Sequence, residues 1–245
     1  MDVFRITRQL AADLAPLTFS PPVTHVYNPL QYAWESHRRY LERYGQGRKT
    51  ALLVGMNPGP WGMAQTGIPF GDTVWVRDWL GLDGEVEQPA RPHPKRPVEG
   101  FACRRREISG SRLWGWARAR FETPDRFFQH FFVLNFCPLC LFSREGRNIT
   151  PDQLPTRDRD PLEAACGRAL RRFVEYYRPD YVIGVGGFAE KQIRNVAGGP
   201  GIIIGKIPHP SPANPQANRG WSEAAEKQLA DLGILERIQH DPRGR

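Results

Sequence analysis

The chain carries four short apolar runs rich in strand-forming residues, at 51–56, 131–134, 181–185 and 202–207. Each has strand length, and each reads as a strand buried on both faces. Segments of helical pattern lie between and after them, at 31–44, 73–80, 111–121, 161–177, 188–196 and 222–235. Strands alternating with helices build βαβ units, so the expected fold class is α/β, with a small parallel four-stranded sheet flanked by helices.

The 245 residues suit one domain with a sizeable core. The Pro-, Gly- and Arg-containing stretch 84–107 reads as a long surface excursion, and 236–245 as a frayed polar tail. Asp2, Arg5, Arg8 and Asp13 interrupt the N-terminus, and no window approaches the ~20 apolar residues of a membrane span. These features predict a soluble, intracellular protein with no membrane partner. Cys103, Cys137, Cys140 and Cys166 are too few for a disulfide scaffold. Cys137 and Cys140 form a C-x-x-C without a second pair, which reads as buried thiols and no metal site. The excess of 34 Lys and Arg over 26 Asp and Glu gives a net charge of +8, which suits a polyanionic partner or an indifferent basic surface.

In open parallel sheets, ligands bind beyond the carboxyl ends of the strands. The residues that follow the four runs therefore matter most. They are Asn57-Pro58-Gly59, Asn135-Phe136-Cys137, Gly186-Gly187 and Pro208-His209-Pro210-Ser211. The rim lacks a paired carboxylate, a Ser-His-Asp order and a Walker phosphate loop. Gly184-Val185-Gly186-Gly187-Phe188-Ala189 fits G-x-G-x-x-A, but no acidic residue ends the next strand, so no dinucleotide is expected. Gly186 and Gly187 instead bring backbone amides and a helix N-terminus toward a phosphate, or serve close strand–helix packing. An asparagine amide is no base; it holds a water or a polar edge. A neutral histidine donates to developing negative charge, and a second asparagine complements an edge with a carbonyl beside an N–H, as in uracil. Asparagine and histidine at loop starts also serve as turn formers, so spacing alone leaves both readings open.

The motif Gly55-Met56-Asn57-Pro58-Gly59-Pro60-Trp61-Gly62-Met63-Ala64-Gln65-Thr66-Gly67-Ile68-Pro69-Phe70-Gly71 resembles the single-strand-selective monofunctional uracil-DNA glycosylases. So do His209-Pro210-Ser211-Pro212, Asn214-Pro215-Gln216-Ala217-Asn218 and the shorter Tyr27-Asn28-Pro29, His93-Pro94-Lys95-Arg96-Pro97 and Gly146-Arg147-Asn148. The resemblance runs from about Tyr27 to Leu235. It implies a single uracil-DNA glycosylase-like domain without cofactor or metal, monomeric, that flips uracil from single- or double-stranded DNA and hydrolyses its glycosidic bond. It places the protein at the nucleoid of a bacterium or in the nucleus of a eukaryote. Asn57 looks like the residue that positions the attacking water, and His209 like the donor to uracil O2. Asn135 looks like the reader of the uracil edge, Phe70 like the ring that stacks on it, and Met56 and Gly59 like pocket lining. Where strictly uracil-selective relatives typically carry a tyrosine, Gly59 leaves space for substituents at uracil C5.

DNA contacts fall to Ser211, Pro212, Ala213, Asn214, Arg219, Gly186 and Gly187. One position departs from the family: an arginine usually follows the His-Pro-Ser-Pro motif and helps fill the gap left by the flipped base, but here it is Ala213. Alanine is too small for that role, and Arg219 is the candidate to take part of it. Two other functions fit these residues: a DNA-binding module that has lost catalysis, and a glycosylase for deaminated purines such as xanthine.

Overall fold

The computed structural model describes residues 2–199 and 201–241. The described strands are β1 (Val23–Tyr27), β2 (Ala51–Gly55), β3 (Phe131–Asn135), β4 (Cys140–Ser143), β5 (Asn148–Ile149), β6 (Tyr181–Val185) and β7 (Ile203–Ile207). The four expected runs form one parallel sheet in the order β3-β2-β6-β7. Every residue of β2, β3 and β6 is buried, which is why these strands read as continuous apolar runs. β7 corrects the expectation of burial on both faces. It is an edge strand, with Ile203 46% exposed and Lys206 in solvent.

Helices appear where expected, with boundaries set by local backbone chemistry. The run 31–44 divides into Pro29–Tyr32 and Trp34–Tyr44. The run 222–235 breaks at Gly233, whose φ of 75° is left-handed, into Trp221–Asp231 and Ile234–Gln239. Thr156–Tyr177 starts one turn before Pro161, a residue that more often opens a helix than sits within one. Among the described residues, three helices, Val3–Leu14, the single turn Met63–Thr66 and Pro124–His130, and one sheet lie outside the expected runs. Val3–Leu14 is capped by Asp2, whose carboxylate accepts from Arg5 N, and it buries Val3, Ile6, Leu10 and Leu14. Pro124–His130 begins at Thr123 and delivers the chain straight into β3. β1, β4 and β5 form a separate antiparallel sheet beside the main one.

Two further readings change. The excursion 84–107 is pinned to the body: buried His93 Nε2 donates to Ser143 O at 3.0 Å, and Arg96 Nε to Gly146 O at 2.7 Å. Of the expected tail, Glu236 to Gln239 are helical and Asp241 is buried, while 242–245 lie outside the described residues. All four cysteines are free and buried, and no group of three or more potential metal ligands occurs among the described residues. Among those residues no helix is long and apolar enough to cross a membrane.

Candidate active site

At the carboxyl edge of the parallel sheet lies a cavity of about 470 Å³, a size typical of small-molecule sites. Met56, Asn57, Gly59, Phe70, Asn135 and His209 all line it, as do Ser211 and Pro212. Gly187, Ala213, Asn214 and Arg219 do not.

The floor is built on an absence of side chain. Gly55 ends β2 opposite Asn135, which ends β3. A Cβ on Gly55 would lie 2.3 Å from Asn135 Oδ1 and 2.8 Å from the Phe70 ring, so only glycine lets both approach. Asn135 is 9% exposed, and its Nδ2 donates to Met63 Sδ at 3.4 Å, a weak acceptor that leaves the amide available. Phe70 is held at φ 54°, a left-handed conformation rare for an aromatic residue. Trp114 Nε1 donates to the Phe70 carbonyl at 2.9 Å, and Gly110 packs so close that a Cβ there would strike that carbonyl.

His209 follows β7 and is half-buried, and its partial desolvation pushes its pKa below the usual histidine value and keeps the ring neutral. The backbone N–H of Ser211 donates to Nδ1 at 3.1 Å, so the single ring proton belongs on Nε2. Asn214 Nδ2 donates to the His209 carbonyl at 2.9 Å, and Trp221 Nε1 to Pro208 O at 2.6 Å. Asn214 is thus a loop brace in this structure. Gly186, at φ 96°, lies under the imidazole, where a Cβ would come within 3.2 Å of His209 Cβ. Its N–H is committed to Ile207 O at 2.9 Å, and Gly184 serves packing, since a Cβ there would strike Glu190 N.

At and around the site, no role was read from sequence for Glu107, Thr150 or Arg112, nor for Asn148, which entered only as part of the motif Gly146-Arg147-Asn148. Glu107 caps Ile108–Phe121 by accepting from Ser109 N at 3.2 Å and from Gly110 N, and burial raises its pKa above the usual carboxylate value. It forms the cavity wall beside Gly59, and an acidic residue just before a helical run was the signal for it. Asn148 and Thr150, from β5 and just after it, also line the cavity. Arg112, on the helix Ile108–Phe121, donates to Pro210 O at 2.8 Å and to Asn218 Oδ1 at 2.9 Å. At the rim, two cations lie over the Trp61 ring, with Arg105 Cζ 4.3 Å and Arg96 Cζ 5.3 Å from its centroid.

Known proteins share this architecture. The family model described as the uracil DNA glycosylase superfamily matches residues 42–233. The single-strand selective monofunctional uracil-DNA glycosylase of Rattus norvegicus is 48% identical over 229 residues, 93% of this chain and 82% of the relative. Its Bos taurus counterpart is 49% identical over 229 residues, covering 93% and 84%. The solved structure of Pedobacter heparinus SMUG2 is similar in fold, with a TM-score of 0.59 at 17% identity over 95% of this chain and 98% of that one. With the site at the carboxyl edge of the same kind of sheet, the chain belongs to the uracil-DNA glycosylase superfamily, beside its single-strand selective monofunctional members.

Proposed function

We propose that this protein removes uracil from DNA by hydrolysing its N-glycosidic bond and leaves an abasic site. The convergence of Asn57, Phe70, Asn135 and His209 on one cavity carries this reading. The nucleotide flips out of the helix or is taken from a single strand, and its base enters between Phe70 and the Asn135 amide. Asn135 pairs with the carbonyl and N–H of the uracil edge, an arrangement that cytosine does not match. As the C1′–N1 bond breaks, negative charge collects on the base, and the Nε2–H of neutral His209 donates to O2. Asn57 holds the water that attacks C1′; since an amide takes no proton, the reaction depends on the stabilised leaving group rather than on a strong base.

DNA lies along the basic rim. The Arg96, Trp61 and Arg105 stack offers a face for a neighbouring base and charge for the phosphates. The loop with Ser211, Pro212 and Ala213 meets the strand at the cavity mouth, and exposed Arg219 and Gly187 extend the contact. Gly59 leaves its wall open, so 5-substituted uracils such as 5-hydroxymethyluracil are substrates as well.

The test is a panel of oligonucleotides with one defined lesion each, single- and double-stranded, scored for abasic-site formation. Uracil release by the wild type, lost in Asn57→Ala with DNA binding retained, is the expected result. Binding without release by the wild type would sink the enzymatic reading in favour of a binding module, and preferential xanthine release would displace uracil as the substrate.

A further inference from the structure

Asn148 reaches the cavity from the small antiparallel sheet, and its Oδ1 is buried with no hydrogen-bond partner in the protein. A buried amide oxygen is costly to leave unpaired, so such a group in a native site calls for a ligand or water. The orientation of the amide follows from its neighbour. A proline carbonyl only accepts, and Asn148 Nδ2 faces Pro58 O at 3.5 Å. Asn57 Nδ2 donates to the same oxygen at 3.3 Å. Two side-chain amides from different sheets therefore converge on one carbonyl, which directs their nitrogens and frees their oxygens.

We propose that Asn148 Oδ1 is the second acceptor for the attacking water, acting with Asn57 Oδ1; this role rests on the uracil-hydrolysis reading above. A water bound by one acceptor still rotates. One that donates a hydrogen to each of two amide oxygens is fixed, and its lone pairs are left to face C1′. In the step itself, the water oxygen bonds to C1′ while the C1′–N1 bond breaks and its electron pair leaves on the base. The surplus water proton passes to solvent, and the uracil anion is finally protonated from solvent. Neither amide changes protonation state.

Single-turnover uracil release from a single-stranded oligonucleotide tests this, alongside affinity for the same strand carrying a hydrolysis-resistant 2′-fluoro uracil nucleotide. Asn148→Ala is expected to lower the rate at least 30-fold with affinity within twofold of wild type. Asn148→Asp restores an acceptor and is expected to recover at least tenfold over Asn148→Ala. Its rate should rise with pH as the new carboxyl ionises, while the wild-type rate stays flat across that range. A packing role would not produce that profile. A rate for Asn148→Ala within threefold of wild type would overturn the proposal. So would equal, pH-independent rates for the two variants, and this comparison still decides if Asn148→Ala melts early. Failure of the wild type to release uracil would instead remove the underlying reading.

Discussion

Gly55 and Asn135 stand opposite each other at the ends of β2 and β3, close enough that one methyl group on the glycine would displace the amide. Gly55→Ala is therefore expected to move Asn135 and Phe70 together and to slow single-turnover uracil release about 100-fold, the scale at which a displacement near 1 Å acts. Overpacking typically costs about 1–3 kcal/mol, so a lowered melting temperature is expected too. The informative comparison is at a temperature where the variant is folded. Wild-type rates there would mean that the edge-reading amide does not depend on this floor.

Arg112 ties the helix Ile108–Phe121 to the loop that carries His209. Asn218 extends the tie, because its Nδ2 donates to Pro212 O at 2.9 Å. Arg112→Ala is expected to lower the rate of base release about tenfold while the salt dependence of DNA binding changes little. Arg112→Lys keeps the charge but lacks the planar fork that reaches both acceptors, so it should not restore the rate. Full rescue by lysine would show that charge, and not positioning, is what Arg112 supplies.

His37 gives a stability prediction with a defined pH window. It is buried, its Nδ1–H donates to Gly67 O at 2.7 Å, and burial pulls its pKa down to about 4. The unfolded chain has the ordinary value of about 6.5, so it binds this proton first as pH falls. Stability from this residue is thus intact above about pH 6.5 and declines between there and pH 4, by about 3 kcal/mol in all. His37→Asn keeps a donor for Gly67 without titrating. The loss of melting temperature between pH 7 and 4 is expected to be smaller in that variant, and parallel curves would show that other groups dominate.

The parallel sheet was legible because β2, β3 and β6 are buried throughout and so appear as unbroken apolar runs. The antiparallel sheet was not. β1 has an alternating, half-exposed pattern of five residues, and β5 has two, too few for any period to show. That gap had a functional cost, since Asn148 belongs to β5. The helix Val3–Leu14 was missed although its signals, a capping aspartate and apolar residues at helical spacing, are both in the sequence. At the site, Asn57, Asn135 and His209 were found because they lie at, or within two residues of, the carboxyl ends of strands. Glu107 and Arg112 were missed because they come from the helix Ile108–Phe121 and its cap, where position in the chain says nothing of proximity to the strand ends.

Gly59 admits two explanations: a glycine needed for the turn between Pro58 and Pro60, or one needed to keep the cavity open. Its φ is not among the positive values, and a Cβ there would meet only Glu107 Oε1, at 3.9 Å. Backbone geometry therefore does not demand glycine, and the space beside it is free. A tyrosine at this position would project its ring along the wall shared with Glu107 without straining the loop. Gly59→Tyr is expected to melt close to wild type and to lose release of 5-hydroxymethyluracil at least tenfold more than release of uracil, because only the 5-substituent needs that space. Single-turnover rates on the two lesions in matched oligonucleotides measure the ratio. An equal loss on both in a folded variant would restore the turn explanation, and a wild type inactive on 5-hydroxymethyluracil would show that the open wall admits no such group.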